Sequence, residues 1–231
     1  MTSRTLPASA PLAALRGGLV VSCQAYPGEP MRSPETMAQI AASALTGHAV
    51  GIRAQGLGDI ALIRERVDLP LIGLWKDGHD GVFITPTLRH AIAVSAAGAD
   101  IVALDGTRRP RPDGLDLAET IRRLKDETGT LVMADTGSLA DALAAVEAGA
   151  DCVGTTLAGY TSERPKLAGP DLELVAEIAA AVEVPVIAEG RIHTPEQARA
   201  AIDAGAYSVV VGTAITHPAT ITRWFADAVA R

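Results

Sequence analysis

The chain has 231 residues, 48% of them hydrophobic but only 3% aromatic, and a formal charge of −7. That length supports one large core built from Ala, Val, Leu and Ile, and the acidic balance argues against a nucleic-acid partner. Cys23 and Cys152 lie in apolar runs outside any CxxC pair, so they read as small buried hydrophobes in a reducing compartment, without disulfide or metal roles.

Residues 1–14, "MTSRTLPASAPLAA", lack the continuous apolar region of a secretory signal. The composition assigns residues 1–15 to a flexible extension and 16–231 to one domain. No run approaches the roughly 18 apolar residues of a membrane span, so the expectation is a cytoplasmic protein with no membrane partner.

Eight apolar strands follow in order: "LVVSCQ" (19–24), "AVGIRA" (49–54), "PLIGLWK" (70–76), "IVALDG" (101–106), "LVMADTG" (131–137), "DCVGTT" (151–156), "PVIAEGR" (185–191) and "SVVVGTA" (208–214). Helix starts are marked by Ser33-Pro34, Thr85-Pro86 and Thr194-Pro195, each an N-cap hydroxyl before proline. Thr194 and Gln197 complete a capping box. The segments "AVSAAGADIVALDG" (93–106), "AVEAGADCVGTT" (145–156) and "AIDAGAYSVVVGT" (201–213) echo one another, with glycines 98, 149 and 205 about 50 residues apart. Each reads as a helix end, a glycine cap and an apolar strand. Eight strands alternating with helices predict a single-domain α/β protein, a (β/α)8 TIM barrel.

Chemistry in this fold sits at the C-terminal strand ends. Those ends carry Ser22 and Gln24, Arg53, Lys76, Asp105, Asp135, Thr155 and Thr156, Glu189 with Arg191, and Gly212-Thr213. A lysine past one strand end is ordinarily solvated. A ring of Gln, Arg, Lys, Asp and Glu points instead to a shared site. Strands 3 and 7 face each other across the barrel, so Lys76 and Glu189 approach its axis from opposite sides. The pair suits proton transfer at a carbon and a nearby oxygen. As a purely structural device it would be a buried ion pair.

The loops "EGRIHTP" (189–195) and "GTAITHP" (212–218) have the glycines and following helix of a phosphate site. The five histidines show no metal-binding spacing, and no GxGxxG announces a dinucleotide. "RRPRPDG" (108–114) reads as a solvated rim, and "AGYTSERPKLAGP" (158–170) as either a loose connection or a lid. Trp75 and Trp224 read as packing residues, and His193 as part of a helix entry.

Taken together, "GGLVVSCQA", "GIRAQG", "PLIGLWK", "VFITPT", "ALDGTRRPRPDG", "MADTGS", "GADCVGTTLAGYT" and "VIAEGRIHTPEQA" resemble the N-acetylmannosamine-6-phosphate 2-epimerase family across roughly residues 16–225. The resemblance implies interconversion of N-acetylmannosamine 6-phosphate and N-acetylglucosamine 6-phosphate in sialic-acid breakdown, without cofactor or metal. Carried over by motif, it makes Lys76 and Glu189 catalytic and Gln24, Arg53 and Asp135 substrate contacts. Gly190, Arg191, Gly212 and Thr213 fall at the phosphate end. The ligand expected is a phosphorylated N-acetyl amino sugar, and a homodimer is compatible with this reading. One departure stands out: "KDGHDG" is shorter than the family's segment after the lysine and lacks its tyrosine. Two other readings fit a barrel lysine: a Schiff-base aldolase acting on a phosphosugar, and a barrel that binds a phosphosugar without turnover.

Overall fold

Eight parallel strands pair in sequence order and close, β8 returning to β1. They are β1 (Leu19–Cys23), β2 (Gly51–Gln55), β3 (Leu71–Leu74), β4 (Ile101–Asp105), β5 (Leu131–Asp135), β6 (Cys152–Gly154), β7 (Val186–Glu189) and β8 (Ser208–Val211). Around them run α1 (Ala10–Ala14), α2 (Pro34–Thr46), α3 (Leu57–Arg66), α4 (Leu88–Ala96), α5 (Leu117–Thr128), α6 (Leu139–Glu147), α7 (Leu172–Ala181), α8 (Pro195–Asp203), α9 (Thr213–Thr216) and α10 (Pro218–Val229). This computed structural model describes residues 10–230. The expected TIM barrel is the fold, and seven of the eight strands fall inside the predicted segments, β2 running one residue further to Gln55.

Alternate strand residues point in and out. Val20, Ile72, Ile101, Met133, Cys152, Ile187 and Val210 fill the barrel interior. Val21, Ile52, Val102, Val132 and Val153 face the helices. Each fully buried isoleucine or leucine stabilises this core by roughly 1.5–3 kcal/mol. Below the barrel, Leu12 of α1 and Leu15 join the interior cluster. Residues 10–15 therefore belong to the folded body, unlike the flexible extension expected there; residues 1–9 lie outside the described residues. Apolar spacing in so short a segment carries too little signal to announce this helix.

The recurrent Gly-Ala-Asp has a structural cause. Gly98 and Gly149 adopt positive φ (108° and 97°), which turns the chain from helix to strand. The aspartate then accepts from a backbone N–H at the start of the neighbouring strand: Asp100 from Leu71 at 2.9 Å, Asp151 from Val132 at 2.8 Å.

The caps hold at two predicted helix starts. Ser33 accepts from Thr36 N at 3.1 Å and Thr194 from Gln197 N at 3.3 Å. The return half of the Thr194 box lands one residue early, His193 N donating to Gln197 Oε1 at 2.7 Å. Thr85 is not a cap. Its hydroxyl accepts from Trp75 N and donates to Ala103 O at 2.6 Å, stitching the chain between β3 and β4, while Thr87 caps α4. Both cysteines are buried and unpaired. Among the described residues, no helix is long and apolar enough to cross a membrane.

Candidate active site

Arg53, on β2, points into the barrel and is 1% exposed. Such a charge is tolerable only when paired. Its guanidinium grips Asp135 on β5 through two bonds, Nη1 to Oδ1 at 3.1 Å and Nη2 to Oδ2 at 2.6 Å, and meets Glu189 Oε2 at 3.2 Å. Burial alone would push the arginine's pKa down, but the two carboxylates outweigh it and hold the group firmly charged. Gly154 on β6 makes room for this stack, because a Cβ there would lie 2.3 Å from Met133 Cε.

Lys76 lies two residues past β3, where the chain turns back and Lys76 bridges Ile84 in antiparallel register. Its Nζ donates to Gln24 Oε1 at 2.9 Å and stands 5.8 Å from the centre of the Tyr26 ring. The Gln24 amide is oriented in turn by donating to Ser22 Oγ at 2.7 Å. Desolvation, then the nearby Arg53 charge, lowers the lysine's pKa, against the opposing pull of Glu189 and Asp135. No Lys76–Glu189 ion pair forms among the described residues.

Glu189 ends β7. Thr155 fixes its backbone, accepting from Glu189 N and donating to Glu189 O, both at 3.0 Å. Thr156 Oγ1 lies 3.3 Å from Glu189 Oε2 and 2.6 Å from Asp135 Oδ1. Burial, with Asp135 adding to it, raises the Glu189 carboxyl to about 7 despite Arg53 and Lys76. A carboxyl at that value both gives and takes protons near neutrality.

At the other side, Gly190 has φ 117° and Arg191 φ 55°, a sharp turn directly after β7. Gly212 and Thr213 open α9, whose first N–H groups have no intrahelical acceptor. Arg191 donates to Gly169 O at 3.0 Å and to Ala158 O at 2.9 Å, so its guanidinium also ties down the loop after β6. That loop is neither loose nor unanchored: Arg164 within it pairs with Asp171 at 2.8 Å.

These groups line one cavity of about 380 Å³ at the barrel mouth, with Gln24, Arg53 and Lys76 on one side and Glu189, Gly190, Arg191, Gly212 and Thr213 on the other. Asp135 does not line it. It is fully buried beneath Arg53, and meets the site only through Arg53 and Thr156. Asp105 is also absent from the wall, because it turns to bind Thr107 and Arg109. The loop 108–114 is the expected solvated rim at Arg108, Pro110, Pro112, Asp113 and Gly114, but Arg111 departs from it: it is 6% exposed and donates to the carbonyls of Asp105 and Thr85, both at 2.8 Å. Trp75 packs edge-on to His90 as expected. Trp224, with His193 at 4.7 Å between ring centres, stands on a helix that buries none of its residues.

Sequence reasoning passed over Tyr26, Tyr160 and His217, which complete the cavity wall. They sit in loops, where strand periodicity gives no signal. Among the described residues no cluster of His, Cys, Asp and Glu is placed to hold a metal ion.

A family model described as "Putative N-acetylmannosamine-6-phosphate epimerase" matches residues 37–231. The chain belongs to this family. A relative from Cutibacterium acnes, called "Putative N-acetylmannosamine-6-phosphate 2-epimerase", is 64% identical over 219 residues, covering 94% of this chain and 96% of the relative. One of the same name from Caldanaerobacter subterraneus is 50% identical, covering 91% and 90%. The solved structure of the N-acetylmannosamine-6-phosphate 2-epimerase from Clostridium perfringens is similar at TM-score 0.91 and 41% identity, covering 94% of this chain and 96% of that one. A thiamine phosphate pyrophosphorylase from Pyrococcus furiosus, at 22% identity and TM-score 0.59, shares the fold alone.

Proposed function

We propose that this chain is an isomerase that interconverts N-acetylmannosamine 6-phosphate and N-acetylglucosamine 6-phosphate by proton transfer at C2, in amino-sugar catabolism in the cytoplasm. The observation that carries the reading is that Lys76 and Glu189 line one cavity from opposite sides and do not pair with each other, burial lowering the proton affinity of the lysine and raising that of the carboxyl. The reaction balances without an added cofactor. One C–H bond at C2 breaks and another forms, with no net oxidation.

In this mechanism Glu189 moves a proton between O5 and O1 to open the sugar ring. The C1 aldehyde then acidifies C2, Lys76 takes its proton from one face, and a substrate hydroxyl returns a proton to the opposite face, which completes the inversion. Arg53, held by Asp135, supplies positive charge where the enolate develops. Gln24 fixes the Lys76 ammonium and offers the sugar an amide. Asp135 acts from beneath as the counter-ion of Arg53, with no substrate contact of its own. The phosphate binds at Gly190, Arg191, Gly212 and Thr213, through backbone N–H groups and the guanidinium.

Incubation with N-acetylmannosamine 6-phosphate in deuterated water tests this. Deuterium at C2 together with epimerisation supports it; binding without exchange favours a phosphosugar-binding barrel. A borohydride-trapped adduct on Lys76 favours the aldolase chemistry. With Glu189→Gln, C2 exchange without epimerisation would place the carboxyl on the return face, whereas loss of both places it in ring opening.

We further propose a homodimer. Residues 222–229 of α10 are all exposed, Phe225 at 71% and Val229 at 78%. A groove of about 450 Å³, lined by Leu19, Val209, Val211, Ala198 and Ile202, opens on the barrel wall beside β8. Two copies can cover both surfaces by a two-fold exchange of contacts. Sedimentation tests it: a monomer at all concentrations ends this part of the reading.

A further inference from the structure

Thr156 lies between two carboxylates and can give its single hydroxyl proton to only one of them. The distances decide which. Asp135 Oδ1 is 2.6 Å from Thr156 Oγ1, while Glu189 Oε2 is 3.3 Å away. The hydroxyl therefore donates to Asp135, and the face it offers Glu189 is a lone pair. A lone pair facing an ionised carboxylate gains nothing, but it accepts well from a protonated one. The remaining groups around Glu189 are Arg53 from β2, Lys76 from beyond β3 and Asp135 from β5. Arg191, two residues along the chain, has its Nε and Nη1 bonded to the carbonyls of Gly169 and Ala158. β6 brings no charge of its own to Glu189, only Thr156.

We propose that Thr156 is a positioning residue that accepts a hydrogen bond from the protonated carboxyl of Glu189 while donating its own proton to Asp135, so that the protonated form of Glu189 is stabilised and oriented alongside the ionised one. No proton passes through Thr156 in this arrangement. Its oxygen is a fixed acceptor, kept in one orientation because Asp135 is itself clamped by Arg53. The contact is made at Oε2. Oε1 has no hydrogen bond among the described residues and belongs to a side chain on the cavity wall, which leaves it for the substrate. Ring opening needs a group that protonates one oxygen and deprotonates another, so both states of Glu189 must be populated in working protein. The proposal rests on the proton-transfer role given to Glu189 above.

The test is the titration of Glu189 in free protein, followed by the infrared band of its protonated carboxyl and assigned by that band's loss in Glu189→Gln. Thr156→Val removes the hydroxyl and keeps the shape. The midpoint should fall by about one pH unit, the effect of one lost hydrogen bond to the protonated form. Thr156→Ser should restore both midpoint and turnover. Thr156→Ala gives the same reading if the valine variant does not fold. A midpoint that rises would mean that Thr156 donates to the carboxylate, and one that stays would mean that it merely packs; either result overturns the proposal. The outcome is separable from the activity reading. A lowered midpoint in protein that never epimerises keeps Thr156 in place and ends the proposed function, whereas normal turnover with an unmoved midpoint does the reverse.

Discussion

Lys76 is held by Gln24 and not by Glu189. Its ammonium donates to the Gln24 amide oxygen at 2.9 Å, while Glu189 is paired with Arg53 at 3.2 Å. A base must be able to lose its proton, and a neutral amide orients the lysine without the strong preference for the charged form that a carboxylate imposes. Gln24→Glu should therefore move the basic group's pH–rate limb about one unit or more toward alkali and cut the rate near neutrality about tenfold per unit. A pH–rate profile checks this. An unmoved limb would show that Lys76 is not the titrating base.

Lys76→Ala should abolish C2 exchange, a loss on the order of 10²–10⁴-fold or more for a general base. Because no carboxylate depends on Lys76 for a direct ion pair, the variant should melt close to wild type and still bind inorganic phosphate. Near-normal exchange by the folded variant would end the case for this lysine.

Arg53 should behave differently. Arg53→Met leaves Asp135 and Glu189 buried without their shared cation, and breaking a buried pair costs about 3–5 kcal/mol. Denaturant unfolding should show that loss, in addition to lost turnover. Unchanged stability would mean that the buried carboxylates are neutralised some other way.

Glu189 sets a pH dependence of stability. Burial holds its folded value at about 7, above the usual 4.5, so the native chain binds this proton more tightly than the unfolded one. The stabilisation it contributes is complete below the unfolded value and is lost as pH rises through about 7. Glu189→Gln does not titrate. The variant's melting temperature should accordingly gain on wild type between about pH 5 and pH 8. A constant gap across that range would contradict the raised value.

The phosphate should govern specificity. Hydrogen bonds to a charged group contribute about 1.5–3 kcal/mol each, so two of them make N-acetylmannosamine poorer than its 6-phosphate by about 10²–10⁴-fold in kcat/KM. Arg191→Ala should narrow that ratio and also expose the 158–170 segment to proteolysis, since Arg191 holds Ala158 and Gly169. Equal kcat/KM for the two sugars would remove the phosphate from this end of the barrel.

By itself the sequence determined the barrel, because each strand is a short apolar run and Gly-Ala-Asp marks the return from helix to strand at Gly98 and Gly149. It also placed Gln24, Arg53, Lys76 and Glu189 around one mouth, since strand order and side-chain alternation fix which residues point inward. Only the tertiary structure decided who pairs with whom. Lys76 and Glu189 project from opposite strands and could have met, but Arg53 reaches the carboxylate first and Asp135 sinks below the cavity to balance it. Arg111 in its loop gave no sign that it would be buried, and Thr85 gave up a cap to bridge two strands. Such choices depend on distances between segments far apart in the chain, which local pattern does not encode. Burial then sets their consequences, lowering the lysine's proton affinity and raising the glutamate's.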